Sequence, residues 1–165
     1  MGHARPAAAH KAAANAILDF DAAVIGAGVS GLYQLYELRE LGLEMRVFET
    51  GTGVGGTWYW NRYPGARFDS EGWTYGYSFS QELLDEWSWE QHFAGQPETE
   101  RYLNHVADKF DLRRDIQFKS RVTAAHYREE TRSWSVVLED GRSCTTRFLI
   151  TALGVLSAAT MPRIA

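Results

Sequence analysis

The spacing of apolar residues changes twice within the first fifty positions, and each change predicts a different element. The run "FDAAVI" from Phe20 is typical of a short buried strand. The stretch that follows has leucines at every third position, as on a helix that packs against a sheet: Leu32, Leu35, Leu38 and Leu41. Gly42 is placed to end that helix, and "MRVFE" predicts a second strand with Val47 and Phe48 buried. The order β-α-β indicates two parallel strands joined by a crossover helix.

The middle of the chain shows little periodicity and then becomes helical. Residues 50–77 are rich in Gly, Pro and aromatic residues, and long irregular segments inside compact domains are usually functional. "QELLDEWSWEQHF" predicts a short helix, and "QPETERYLNHVADKF" predicts a longer one with Pro97 in its first turn. Three apolar residues share one face of the longer helix: Tyr102, Val106 and Phe110.

The last part of the chain has the composition of β-strands. "RVTAAHY", "SWSVVL" and "CTTRFLI" predict a three-stranded antiparallel meander, with a tight turn at Asp140-Gly141. We expect its last strand to enter the main sheet through Phe148, Leu149 and Ile150. The predicted fold class is therefore α/β, a Rossmann-type doubly wound parallel sheet with a three-stranded antiparallel β-meander crossover. The Ala-rich residues 1–18 are interpreted as a disordered tail, outside the folded unit of residues 19–165.

Composition and charge exclude several classes of function. The net charge of −4 and pI near 5.7 argue against a nucleic-acid-binding surface. No stretch reaches the roughly 18 apolar residues of a membrane span. Cys144, the one cysteine of the sequence, cannot form an internal disulfide and has no zinc-ligand pattern around it. We interpret it as a structural thiol in a reducing compartment, which predicts a cytoplasmic location.

A glycine triplet lies between the first strand and its helix. Gly26 permits a tight turn, Gly28 permits close approach of a pyrophosphate to the backbone, and Gly31 permits close packing of the helix on the strand. The helix that begins near Ser30 would direct its free N–H groups at that pyrophosphate. Glu49 follows 18 residues after Gly31, close to the spacing at which an acid accepts hydrogen bonds from ribose hydroxyls. The alternative is an ordinary Gly-rich turn followed by an incidental acid.

A second glycine motif distinguishes between the possible dinucleotides. The carboxylate of Glu49 disfavours a 2′-phosphate, so the candidates for this half of the chain are FAD and NAD. The segment "GTGVGGTWYWNRYPGARFD" adds the pair Gly55-Gly56, followed by aromatic residues and arginines. A flavin ring needs a flat, partly apolar site, whereas a simple NAD domain has no need of such a segment. The segment therefore favours FAD.

These motifs resemble those of a known family, the type I Baeyer–Villiger monooxygenases, and especially its phenylacetone and cycloalkanone monooxygenases. The resemblance runs from about Phe20 to Pro162. It rests on five segments: "GAGVSG", "GVGGTWYWNRYPGARFD", "YGYSFS", "QPETERYLNHVADKFDLR" and "RFLITALGVLS". The resemblance implies that NADPH reduces bound FAD, that O₂ then reacts with the flavin, and that a ketone is converted to an ester or lactone.

The resemblance also implies roles for particular residues. The implied FAD contacts are the turn Gly26–Gly31 and the following residues: Glu49, Gly56, Thr57, Trp58, Tyr59, Trp60, Asp69, Tyr75 and the backbone of Val122. Arg67, Phe68 and Asp69 are implied to lie near the nicotinamide cofactor, with Asp69 as the catalytic candidate. Two alternatives stay open. Asp69 or Ser70 could simply cap a turn, and Tyr75 could simply pack in the core.

The length of the chain departs from the family pattern. We do not find in its 165 residues the family's second dinucleotide domain, which holds NADPH, or the C-terminal part of the FAD domain. The chain is therefore interpreted as the N-terminal part of an FAD-binding domain, and we expect it not to turn over ketone as given. Two alternatives remain, a non-catalytic flavin- or nucleotide-binding module that acts with a partner chain, and an N- or S-oxygenating flavin monooxygenase.

Overall fold

The computed structural model describes residues 18–158 and 160–164, so the predicted tail lies almost wholly outside the described residues. The strands are β1 (Phe20–Ile25), β2 (Met45–Phe48), β3 (Ile116–Gln117), β4 (Val122–Arg128), β5 (Ser133–Leu138) and β6 (Ser143–Thr151). The helices are α1 (Val29–Glu40), α2 (Thr57–Trp60), α3 (Gly72–Tyr75), α4 (Gln81–Glu86) and α5 (Gln96–Lys109). A 3-10 turn (Arg113–Asp115) leads into β3.

The strands form one six-stranded sheet in the order β3-β2-β1-β6-β5-β4. β3, β2, β1 and β6 are parallel, while β5 and β4 continue the sheet in antiparallel pairing. The predicted α/β class, with a Rossmann-type sheet and an antiparallel meander, is confirmed. The β-α-β order could be predicted from the sequence, because a short apolar run and the spacing of leucines along a helix are both local patterns.

β6 joins the meander to the parallel sheet. Its first residues pair antiparallel with β5, from Ser143 opposite Val137 to Thr146 opposite Trp134. From Thr146 to Thr151 it pairs parallel with β1. This confirms the prediction that the last meander strand enters the main sheet. The chain after β6 is thereby brought to the carboxyl end of β1, where Ala152 N donates a hydrogen bond to Ile25 O at 2.9 Å.

The predicted apolar stripe of α1 is correct at three of its four positions. Leu32, Leu35 and Leu38 are buried, but Leu41 is 59% exposed, which corrects the prediction for that residue. The helix ends at Glu40, and Gly42 adopts a φ of +71° just beyond it. Gly42 N donates to Arg39 O and Leu43 N donates to Leu38 O, so the chain leaves the helical path before Leu41 can face the sheet.

Each face of the sheet has its own apolar cluster. On one face, α1 and α5 pack over Val24 and Val47; on the other, Val136 and Leu138 of the meander pack with Ala23 and Phe48 of the main sheet. Half-buried Cys144 contacts this second layer. Burial, with a smaller contribution from the charge of Asp19, raises the pKa of its thiol to about 11. The thiol is therefore protonated at neutral pH, as expected for a structural cysteine.

The helices of the middle segment differ in part from the prediction. The helix predicted over "QELLDEWSWEQHF" ends at Glu86, because the backbone at Trp87 is extended and the rings of Trp87 and Trp89 turn onto Tyr102. α2 and α3, of four residues each, lie in the segment that was predicted to be irregular. The long helix forms as predicted, with Pro97 in its first turn and its buried face on the core.

Arg39 ties the end of α1 to the turn that follows α5. Its guanidinium donates to Asp115 Oδ2 from Nε at 2.8 Å and Nη2 at 2.6 Å. It also donates to Phe110 O at 2.8 Å and to Asp111 O at 2.6 Å. Both charged side chains are mostly buried, 18% exposed for Arg39 and 24% for Asp115. This network fixes the loop between α5 and β3.

We predict that Arg39→Met lowers the free energy of unfolding by about 2–3 kcal/mol, since charge-assisted bonds at a mostly buried site are lost. Urea unfolding followed by circular dichroism measures the change. The matched control is Arg101→Met, because Arg101 pairs with Glu90 while 56% exposed. That change should cost at most about 0.5 kcal/mol. Equal losses in the two variants would contradict the role assigned to Arg39.

Candidate functional site

The carboxyl end of β1 forms a turn that only glycines can occupy. Gly26 has a φ of +103°, and a Cβ there would lie 2.6 Å from Ala152 O. A Cβ on Gly31 would lie 1.9 Å from Gly26 O, so helix α1 is packed directly on the turn. The reasons given for Gly26 and Gly31 from the sequence, a tight turn and close packing, agree with this geometry.

The two glycine motifs of the sequence meet at this turn. A Cβ on Gly56, which has a φ of +53°, would lie 2.8 Å from the Cα of Gly28. Gly55 N donates to Ala27 O at 3.0 Å, which fixes one backbone on the other. A Cβ on Gly28 would in turn lie 3.3 Å from the Cα of Gly56, so the backbones of the two motifs are in close contact. We call this contact of the two motifs the glycine junction.

The positive end of the α1 helix dipole lies at the glycine junction, and no acidic side chain in its first turn offsets it. Gly28 is its N-cap and supplies no side-chain cap, and its first turn contains no acidic residue. The first N–H groups of a helix lack partners inside the helix, so those of Val29, Ser30 and Gly31 are suited to an anion. A dinucleotide pyrophosphate fits this donor set, and the cofactor contact of Ser30 remains a prediction.

Glu49 is buried at the end of β2, 6% exposed, and its carboxylate bridges two loops. Oε2 accepts a hydrogen bond from Ala27 N at 2.7 Å, and Oε1 accepts one from Gly51 N at 2.7 Å. Each carboxylate oxygen has a second lone pair, so both can still accept a hydroxyl hydrogen bond. The residues present thus fit an adenine dinucleotide, with a helix terminus for the pyrophosphate and an acid for the ribose.

The segment after β3 runs alongside Glu49. Ser120 N donates to Glu49 O at 2.9 Å, and Lys119 N donates to Gly51 O at 3.0 Å. Val122 begins β4 two residues after Ser120, which is hydrogen-bonded to the backbone of Glu49. This is the neighbourhood in which an adenine contact was predicted for Val122, and that contact remains a prediction.

The aromatic residues of the second motif form a packed group behind the junction. Trp58 is buried, and its Nε1 donates to the hydroxyl of Tyr75 at 2.7 Å. Tyr75 stacks on Phe68 with ring centroids 4.4 Å apart. Tyr75 is thus partly buried and packs against the core, and its contact with FAD stays a prediction. Trp60, in contrast, is 57% exposed, and Tyr59 hydrogen-bonds to Thr52.

Arg67 and Asp69 lie on either side of buried Phe68, and both are exposed. Arg67 donates to Gln91 Oε1 and to Phe93 O, each at 3.3 Å. Helix α3 has Glu71 as its N-cap, without a side-chain cap, so neither Asp69 nor Ser70 caps it. The catalytic role of Asp69 and the nicotinamide contacts of Arg67 and Phe68 remain predictions.

Two residues that organise the site were not singled out from the sequence. Gln96 is buried; its Nε2 donates to Trp58 O, and its backbone N donates to Ala66 O at 2.8 Å. Gly51 supplies an N–H to Glu49, and a Cβ there would lie 2.8 Å from the Tyr59 ring. A glutamine at a helix start and one glycine among many give no signal, because both roles depend on tertiary contacts.

Within residues 18–158 and 160–164, no group of three or more His, Cys, Asp or Glu side chains could hold a metal ion. No helix of that part of the chain has the length and apolar character needed to cross a membrane.

Comparison with known proteins shows which proteins this chain is similar to. The model of the "NAD(P)-binding Rossmann-like domain" matches residues 24–86. An acetone monooxygenase (methyl acetate-forming) of Gordonia sp. (strain TY-5) is 56% identical over 138 residues, or 84% of this chain and 26% of that protein. A Baeyer–Villiger monooxygenase of Pseudooceanicola batsensis is 49% identical over 146 residues, or 88% of this chain and 27% of that protein. This chain is homologous to the Baeyer–Villiger monooxygenases.

Solved structures agree with this homology. The crystal structure of OTEMO in complex with FAD and NADP superposes with a TM-score of 0.85 at 49% sequence identity, and the match covers 89% of this chain and 28% of that one.

A phenazine N-monooxygenase of Lysobacter antibioticus is also similar, 46% identical over 88% of this chain and 27% of its own length. The chain spans about a quarter of the length of the curated relatives it matches. The resemblance to Baeyer–Villiger monooxygenases stated from the motifs is confirmed.

We predict that Glu49→Gln lowers the free energy of unfolding of the ligand-free chain by about 1–3 kcal/mol, because one backbone N–H would then face an amide NH₂. Urea unfolding gives the value. The exposed Glu139 provides the control, and Glu139→Gln should change stability by no more than about 0.5 kcal/mol. A Glu49→Gln variant as stable as the control would contradict the bridging role of the carboxylate.

We predict that Gly56→Ala costs clearly more stability than Gly65→Ala. Both positions have positive φ, +53° and +80°, which costs about 1–3 kcal/mol for a non-glycine residue. Only the Cβ at Gly56 also meets backbone, since nothing lies within 4 Å of the one at Gly65. Thermal and urea unfolding of the two variants provide the comparison. Equal losses would mean that the glycine junction tolerates a side chain.

Proposed function

We propose that this chain binds FAD at the glycine junction and forms the flavin-binding part of a monooxygenase of the Baeyer–Villiger type. The observation that carries the proposal is the meeting of three elements: the bare Gly28 turn, the open start of α1 and the buried carboxylate of Glu49. Together they match a pyrophosphate followed by a ribose. Relatives whose structures hold FAD and NADP support the assignment.

The residues of this chain act by binding and positioning. The N–H groups at the start of α1 would neutralise the pyrophosphate, and Glu49 would hold the ribose hydroxyls. Exposed Trp60 would offer the flavin ring an apolar surface, and the hydrogen-bonded pair of Trp58 and Tyr75 would support that surface from the protein side. When bound, FAD supplies the redox chemistry with O₂ and NADPH. Asp69, exposed beside Phe68, is the candidate to act near that centre.

The proposed substrate is a small ketone, converted with O₂ to an ester or lactone in the cytoplasm. Support comes from the acetone monooxygenase and the Baeyer–Villiger monooxygenase among the relatives. A second candidate is N-oxygenation, which is favoured by the similarity to a phenazine N-monooxygenase. Supplying a ketone or an N-heterocycle to the complete protein, with NADPH and O₂, distinguishes the two by the product formed.

The prediction is that FAD binds the purified chain with one-to-one stoichiometry, and that Glu49→Gln weakens the affinity at least about tenfold, equivalent to about 1.4 kcal/mol. Quenching of flavin fluorescence measures both quantities. Glu139→Gln is the control, because that exposed acid lies after β5 in the meander. An unchanged affinity in a folded Glu49→Gln variant, or no FAD binding by the parent chain, would contradict the proposal.

A further inference from the structure

A continuous row of aromatic side chains crosses the helical layer, from α2 behind the glycine junction to the outer face of α1. We call it the aromatic row. Its members are Trp58, Phe68, Tyr75, Trp89, Tyr102, Tyr77 and Tyr33. All except Phe68 are tryptophan or tyrosine, the side chains that give up a single electron most readily.

The inner half of the row begins at Trp58. Its ring centroid lies 5.7 Å from that of Phe68 and 6.0 Å from that of Tyr75. Phe68 in turn lies 5.9 Å from Trp89. Trp58 is only 7% exposed, so its contacts are almost entirely with protein. An electron can thus pass between Trp58 and Trp89 through van der Waals contacts alone.

The outer half leads to the surface of α1. Trp89 lies 5.0 Å from Tyr102, Tyr102 lies 6.0 Å from Tyr77, and Tyr77 lies 6.3 Å from Tyr33, as measured between ring centroids. Tyr77 N also donates to the Tyr102 hydroxyl at 2.7 Å. Tyr33 is 38% exposed, so the row ends in contact with solvent.

Tyr33, at the outer end of the row, differs from buried Tyr77 in having a neighbouring group that can take up its phenolic proton. A tyrosine that loses an electron must also release its phenolic proton. Tyr77 donates its hydroxyl to Val29 O at 2.5 Å, a backbone carbonyl that cannot take up a proton, and burial raises its pKa. Tyr33 and Glu37 are four residues apart on α1, where side chains are neighbours, and Glu37 raises the pKa of the Tyr33 phenol. Glu37 is a base one helical turn away, so Tyr33 is the position where an oxidised tyrosine can be stabilised.

Trp87 branches from the row without providing a second end. Its ring lies 5.2 Å from Tyr102 and 6.0 Å from Trp89. Its buried Nε1 has no hydrogen-bond partner among the described residues. An oxidised Trp87 therefore has no acceptor for its indole proton, and the oxidising equivalent would return to the row.

We propose that the aromatic row conducts one-electron oxidising equivalents from the flavin site to Tyr33. The proposal depends on the FAD site proposed above. Trp58 gives one electron to a one-electron oxidant at that site, such as a peroxide-derived species, and takes one from Trp89 across Phe68, which is not itself oxidised. Tyr33 in turn re-reduces Trp89 through two packed phenol rings. Those two phenols, Tyr102 and Tyr77, keep their protons. Tyr33 finally loses one electron and passes its proton to Glu37. A thiol or ascorbate in solution then returns one electron, and Glu37 returns the proton. The row would protect a site that handles O₂ from oxidative damage.

Laser flash photolysis of the FAD-bound chain tests the proposal, because light-excited FAD is a one-electron oxidant that would take an electron from Trp58. Tryptophan and tyrosine radicals have distinct transient absorption bands. We expect a tyrosine radical to follow the tryptophan radical, and Tyr33→Phe to abolish it. Trp89→Phe, which keeps an aromatic ring, should lower its yield at least tenfold. Glu37→Gln should lower it similarly, because the base is lost.

Two control variants separate conduction from packing. Tyr36→Phe removes a neighbouring tyrosine of the same helix that lies outside the aromatic row, with its ring centroid 4.2 Å from that of Phe79. Trp134→Phe removes a tryptophan of the meander. Neither should change the yield of the tyrosine radical, and bound FAD is measured in every variant.

The outcomes distinguish the two proposals. A chain that binds no FAD overturns both. A chain that binds FAD, yet shows no tyrosine radical or one that persists in Tyr33→Phe, overturns the aromatic row and leaves the FAD site standing. If Trp89→Phe fails to fold, the surface variants Tyr33→Phe and Glu37→Gln still decide the matter. Loss of the tyrosine radical in both, with FAD bound, supports conduction to Tyr33.

Discussion

The site depends on one buried carboxylate. Glu49 accepts hydrogen bonds from Ala27 N in the first glycine turn and from Gly51 N in the second motif. A buried acid of this kind is stable because both oxygens are satisfied by backbone donors, and the loops are ordered because they supply those donors. The acid that would recognise a ribose is therefore also the group that assembles the loops around it. Binding of a ribose by Glu49, as proposed, would be coupled to the folding of this region through the same two oxygens.

The glycine junction imposes a second constraint that acts with the first. Gly28 and Gly56 are in backbone contact, and α2 begins at Thr57 directly after that contact. Trp58 lies in the core, and Gln96 donates a hydrogen bond to its carbonyl oxygen. The contact of the two glycines thus positions the aromatic group, and the aromatic group is hydrogen-bonded to the start of α5. This explains why a segment without periodicity is nevertheless well defined.

How much could be predicted from the sequence follows from how local each signal is. β1, α1, β2 and the meander strands were predictable, because their patterns repeat within a few residues. The exposure of Leu41 was not, since it follows from the turn made by Gly42. α2 and α3 are too short for periodicity, and tertiary packing decides them. The glycines and Glu49 were predicted as a site, but the two N–H donors of Glu49 are visible only in the folded chain.

Amide hydrogen exchange with and without FAD tests the central claim most directly, because it reports on the backbone donors themselves. Binding at the glycine junction should slow exchange at Val29, Ser30 and Gly31 and leave the meander strand β5 unchanged. Slowed exchange elsewhere, with these three amides unaffected by saturating FAD, would contradict the account.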